Sequence, residues 1–78
     1  MAQISLESIK KIEKSRNTLH EKVHTTYTIF EEDGEKYVQL DTYGRIGRET
    51  PEKISQSIQL DKAAAQFLVD ILQKEFSL

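Results

Sequence analysis

The chain has 78 residues and a formal net charge of −2, and it contains no Cys. A chain of this size makes one domain and buries only about 60% of the surface its unfolded form exposes. The absence of Cys excludes disulfides and thiolate metal sites, so the remedy left for a small core is a partner chain.

Ile, Leu, Val and Phe make up 21 of the 78 residues, which is too many for a disordered tail. The opening run MAQISLESIKKIEK has no long apolar stretch. Neither a secretory leader nor a membrane span is expected, and the expectation is an intracellular, cytoplasmic domain without membrane association. The charge is unevenly spread. Residues 1–24 carry +2, residues 25–43 carry −4, residues 44–54 carry +1 and the rest carry −1. Any anion-binding surface is therefore local.

Residues 1–20 form an N-terminal extension in which Ile4, Leu6, Ile9 and Ile12, with Ser5 as a cap, suggest a short helix. His20-Glu21-Lys22-Val23-His24 matches the H-E-x-x-H zinc-protease pattern. That chemistry needs both His on one helical face, and here the run leads into Thr25-Thr26-Tyr27-Thr28-Ile29, a β-favouring stretch. No metal site is expected from it. Residues 21–60 read as an antiparallel sheet. Val23–Phe30 and Lys36–Tyr43, rich in β-branched and aromatic residues, flank Asp33-Gly34, a dipeptide suited to the positive φ angles of a type I′ turn.

A two-residue loop at that position sets the register. Phe30 faces Tyr37, Ile29 faces Val38, Tyr27 faces Leu40 and Thr25 faces Thr42. Ile29, Val38, Tyr27 and Leu40 then share the side expected to be the core. His24, Thr26, Thr28, Phe30, Tyr37, Gln39, Asp41 and Tyr43 share the open side. Gly44-Arg45-Ile46-Gly47-Arg48 follows as a loop with two Gly and two Arg. It matches the GxxG loop of KH domains in letters, although that loop joins helices and this one joins strands. Ile54–Leu60 alternates strictly, giving a further strand with Ile54, Ile58 and Leu60 inward and Ser55, Ser57 and Gln59 outward.

Asp61 reads as the N-cap of a helix over residues 62–76, which has three consecutive Ala and no Gly or Pro. Ala65, Leu68, Val69, Leu72 and Phe76 form one apolar stripe, and Ala64, Phe67 and Ile71 form an adjacent one. One stripe can cover the sheet. The other is expected to bury against a second copy of the chain, with Ala64, Phe67, Leu68, Ile71 and Leu72 at the interface, or else beneath the N-terminal segment through Ile9 and Ile12. The fold class expected is α+β: an antiparallel sheet of three to four strands backed by a C-terminal helix, as a homodimer.

The open side suggests a platform on which unpaired bases stack. Phe30, Tyr37 and Tyr43 would stack, and Gln39, Thr28, Ser55 and Ser57, with His24, would form hydrogen bonds. Lys22, Arg45, Arg48, Lys53 and Lys36 would meet phosphates. No nucleophile–base arrangement, P-loop or dinucleotide signature occurs, so neither an enzyme nor a cofactor is expected.

The order of these parts resembles a known family. A hairpin, then Tyr37-Val38-Gln39-Leu40-Asp41-Thr42-Tyr43, a basic Gly/Pro loop, and Ser57-Ile58-Gln59-Leu60-Asp61-Lys62 entering a terminal helix is similar to one pattern. It is that of the single-stranded-DNA-binding domain of the transcriptional coactivator positive cofactor four, its bacterial relatives and Whirly-like domains. The resemblance covers about Val23 to Phe76. It implies a curved sheet, a homodimer formed largely through the helices, and binding of single-stranded DNA or RNA. It further implies Phe30 as the stacking aromatic, Lys53 as the remnant of a basic cluster and Lys36 as a hairpin Lys. This chain departs from the pattern in its acidic hairpin, Glu31, Glu32, Asp33 and Glu35. The rival expectation is a protein-interaction module of the same fold.

Overall fold

The computed structural model describes residues 1–44 and 53–78. Among these residues four strands and one helix follow in the order β1 (Ala2–Gln3), β2 (Thr25–Glu32), β3 (Glu35–Tyr43), β4 (Ile54–Leu60) and α1 (Lys62–Phe76). The fold is α+β, a four-stranded sheet backed by the C-terminal helix, with strand order β1-β4-β3-β2.

The hairpin forms in the expected register. Asp33 and Gly34 both have positive φ, 53° and 79°, as a type I′ turn requires. Glu32 lies opposite Glu35, Phe30 opposite Tyr37 and Tyr27 opposite Leu40. Strand β4 pairs antiparallel with β3, Val38 opposite Leu60 and Asp41 opposite Ser57. An irregularity at Thr42/Tyr43 then skips Ser55 and brings Ile54 opposite Tyr43, out of step with Ile58 and Leu60.

The N-terminal segment departs from expectation. No helix forms over residues 4–12; a single turn closes where the Ser8 amide donates to the Ser5 carbonyl. Ala2 and Gln3 instead pair in parallel with Ile58 and Gln59, and the Ile4 amide extends the ladder to Gln59. Four apolar residues spread over nine positions cannot repay helix nucleation in so short a segment. The exposed edge of β4 offers backbone partners at once. The sheet is therefore mixed rather than wholly antiparallel.

Helix α1 starts where Asp61 caps it, its side chain accepting from the Ala64 amide at 2.9 Å. It ends at Ser77, whose left-handed conformation lets its amide reach the Gln73 carbonyl. The helix meets the sheet at β4, and no comparable contact reaches β2 or β3. Among the described residues Ala64 is the sole buried apolar side chain, and no large side chain is fully buried. The side expected to be the core is thus largely open within one chain: Tyr27 is 69% exposed and Ile29 61%.

Candidate nucleic-acid interface

Residues opposite one another in a sheet share a side, so the register sorts the side chains into rungs. On one side run Glu31/Lys36, Ile29/Val38/Leu60, Tyr27/Leu40/Ile58 and Thr25/Thr42/Gln56. On the other run Glu32/Glu35, Phe30/Tyr37, Thr28/Gln39/Gln59 and Thr26/Asp41/Ser57. The ladder extends one step further where the Tyr43 amide donates to the His24 carbonyl.

Burial inverts the expected roles of the two sides. The polar side was expected to lie open, yet it holds the buried Asp41 and Ser57 and the half-buried Phe30, Tyr37, Gln39, Gln59 and Tyr43. Its side chains cover one another through a chain of hydrogen bonds. Gln59 Nε2 donates to Gln39 Oε1 at 2.7 Å, Gln39 Nε2 donates to Asp41 Oδ1 at 3.0 Å, and the Ser57 hydroxyl donates to the same oxygen. Chemistry fixes these directions. A carboxylate can only accept, so Gln39 must present its amide NH₂ to Asp41 and its carbonyl to Gln59.

Aromatic rings bracket this chain. Phe30 and Tyr37 stack at 5.4 Å beside the hairpin tip. At the other end the His24 and Tyr43 rings lie 4.9 Å apart at a 35° tilt, and the Tyr43 hydroxyl bonds with Thr26 Oγ1 at 3.1 Å. The two ends differ in charge. The Phe30/Tyr37 rung adjoins Glu32 and Glu35. The His24/Tyr43 end adjoins Lys22, two residues before His24, and Lys53, exposed immediately before β4.

The expected site residues divide accordingly. His24, Thr28, Phe30, Tyr37, Gln39, Tyr43 and Ser57 come together on the polar side. Lys36 does not, because its register position opposite Glu31 puts it on the apolar side. Ser55 sits at the irregularity and is exposed. Arg45 and Arg48 lie outside the described residues. The His20-Glu21 part of the H-E-x-x-H pattern precedes β2 as irregular chain, not as a helix. Asp41 and Gln59 belong to the network and Thr26 bonds with Tyr43, yet none of the three is in the expected site. Their alternation in sequence already put them on this side.

The expected dimer residues divide too. Ala64 is buried within its own chain. Phe67 and Ile71 line a groove together with Ile9 and Lys10 of the N-terminal segment. Leu68 is half-buried, and Leu72 remains exposed at 44%, beside Val69 at 45% and Phe76 at 69%. Comparison with protein-family models, with curated proteins and with solved structures returns no match.

Proposed function

We propose that this chain is a homodimeric, non-enzymatic single-stranded nucleic-acid-binding protein, taking DNA in preference to RNA. Such a protein would serve as an accessory factor in transcription or another DNA transaction. The observation that carries this reading is the ring pair His24/Tyr43 at the end of the polar side flanked by Lys22 and Lys53. Bases stack on rings at a gain of about 1–3 kcal/mol each, and neighbouring cations hold the phosphates. Arg45 and Arg48 follow Tyr43 closely in sequence, with Glu49 and Glu52 after them. The Phe30/Tyr37 end, beside two Glu, is the poorer place for a phosphate chain. Strand entry is therefore assigned to the Tyr43 end, and Lys36 is left out of the site.

The test is fluorescence anisotropy with labelled oligo-dT at low salt and micromolar protein. Binding that weakens strongly in Tyr43→Ala and less in Phe30→Ala supports the reading. Absence of binding, or binding indifferent to both substitutions, refutes it.

One observation favours a second reading, a protein-interaction module without nucleic-acid binding. Along the strands the polar side carries Glu32, Glu35 and Asp41, and the one Lys in β2 or β3 lies on the opposite side. An amide chemical-shift titration with single-stranded DNA separates the two. Residues 24, 43 and 53 move under the first reading, and none move under the second.

A further inference from the structure

We propose that the apolar side of the sheet is a docking surface for a second copy of this chain, with α1 of each copy lying across β2 and β3 of the other. The inference rests on the homodimer of the proposed function but not on its nucleic-acid binding. It starts from two surfaces that no other element covers among the described residues. One is the sheet side of Tyr27, Ile29, Leu40 and Ile58, respectively 69%, 61%, 39% and 40% exposed. Polar rungs bound it at both ends, Glu31/Lys36 at the hairpin and Thr25/Thr42/Gln56 at the other. The other is the helix stripe Val69, Leu72 and Phe76, whose spacing of three and four residues puts them on one face of α1.

The two surfaces fit in kind. An apolar sheet face is ordinarily covered by the apolar stripe of a helix. Within one chain that cover is incomplete, because the single residue Asp61 joins β4 to α1 and the helix's contacts with the sheet fall on β4. Strand β2, at the far edge of the order β1-β4-β3-β2, is left without it. A twofold axis resolves both deficits at once, since each copy offers a sheet face and receives a helix, and the assembly closes.

Surface area argues for a second copy as the occupant. The chain exposes 7425 Å². A compact monomer of 9.0 kDa exposes about 4,900 Å², so the excess is roughly 2,500 Å² per chain. Residues 10–22, irregular and exposed throughout, account for part of it. A standard interface needs about 800 Å² from each partner, and obligate dimers use more. An interface confined to the helices would leave Tyr27 and Ile29 in water.

The lack of Cys makes the test direct, since an engineered Cys is the only thiol. Full-length Ile29→Cys and Leu72→Cys proteins, one carrying a mass tag, are mixed by co-refolding and treated with a short bismaleimide. The expected result is a linked heterodimer several-fold more abundant than either linked homodimer. Dominant Ile29→Cys homodimers mean that the sheets face each other, and dominant Leu72→Cys homodimers mean that the helices do. Either result overturns the proposal, as does a molar mass in solution equal to one chain. Oligonucleotide anisotropy on the unlinked wild-type protein reports separately on nucleic-acid binding.

Discussion

Asp41 makes the sharpest demand on the sheet. It is 6% exposed, and its Oδ1 collects the Ser57 hydroxyl and the Gln39 amide, with Gln59 bonded behind Gln39. Asp41→Ala strands two donors, one of them on Ser57, itself 6% exposed. A donor left without an acceptor costs about 1–3 kcal/mol, the half-buried Gln39 about 1, so the substitution should destabilise by about 2–4 kcal/mol. A chain of this length has only about 4–12 kcal/mol to lose. Asp41→Asn keeps an acceptor for both donors and gives up only the charge assistance, about 1 kcal/mol. Ser57→Ala should also cost about 1 kcal/mol, because Asp41 keeps its bond from Gln39. The double variant Asp41→Ala/Ser57→Ala should be no less stable than Asp41→Ala alone, since it leaves one fewer stranded donor. Urea unfolding followed by circular dichroism, at one fixed chain concentration, measures all four. If Asp41→Ala unfolds within 1 kcal/mol of Asp41→Asn, the network does not hold the sheet and the reasoning is wrong.

Gly34→Ala should cost about 1 kcal/mol: nothing lies within 4 Å of the added methyl, so only the φ of +79° resists it, and a thermal melt reads the loss. Asp61→Ala removes the cap on the Ala64 amide and should cost about 1 kcal/mol, seen as faster exchange of the first helical amides. Lys53→Ala should weaken oligonucleotide binding and flatten its salt dependence, whereas Lys36→Ala, on the opposite side, should change neither. Replacing Ala2 with Pro removes a backbone donor from the strand paired with β4, and protection of the β4 amides should fall.

Local chemistry made much of this fold legible in the sequence. Asp33-Gly34 specified the turn, the turn specified the β2–β3 register, and Asp61 with the Ala run specified the start of α1. Each depends on neighbours within a few residues. Most of the misses concern pairings between distant segments. Pattern alone put Ile4, Leu6, Ile9 and Ile12 on a helix, but a free edge at Gln59 competed for the N-terminus and won. The reading of Ile29 and Tyr27 as core assumed that the chain's own helix would cover them. The short Asp61 connection keeps α1 on β4 instead. Likeness to a hairpin Lys puts Lys36 among the binding residues, whereas counting from the same turn puts it opposite Glu31 on the other side. Alternation also put Gln39, Asp41, Ser57 and Gln59 on one side. That they bond to one another and bury depended on the β3–β4 register, which no local signal supplies.

That register raises the question of what holds it, because no apolar side chain of the sheet is buried among the described residues and the usual lock is lacking. In most sheets a one-residue slip is forbidden because it turns the core outward. Here both sides of a single chain are partly wet, and hydrophobic burial distinguishes the registers weakly. The polar network does so strongly. Sliding β4 by one residue against β3 would bring Ile58 toward Asp41 and carry Ser57 to the other side, stranding the carboxylate beside an apolar chain. The same slip would part Gln59 from Gln39. Buried polar groups thus perform, before association, the task that a core performs in a larger domain. They hold Tyr27, Ile29, Leu40 and Ile58 together on one side, which is the condition a second copy needs in order to find a continuous apolar surface. Weakening the network should therefore impair dimerisation even though none of its members lies on the proposed interface. Asp41→Asn, which keeps the fold, should raise the dimer dissociation constant measurably in sedimentation velocity.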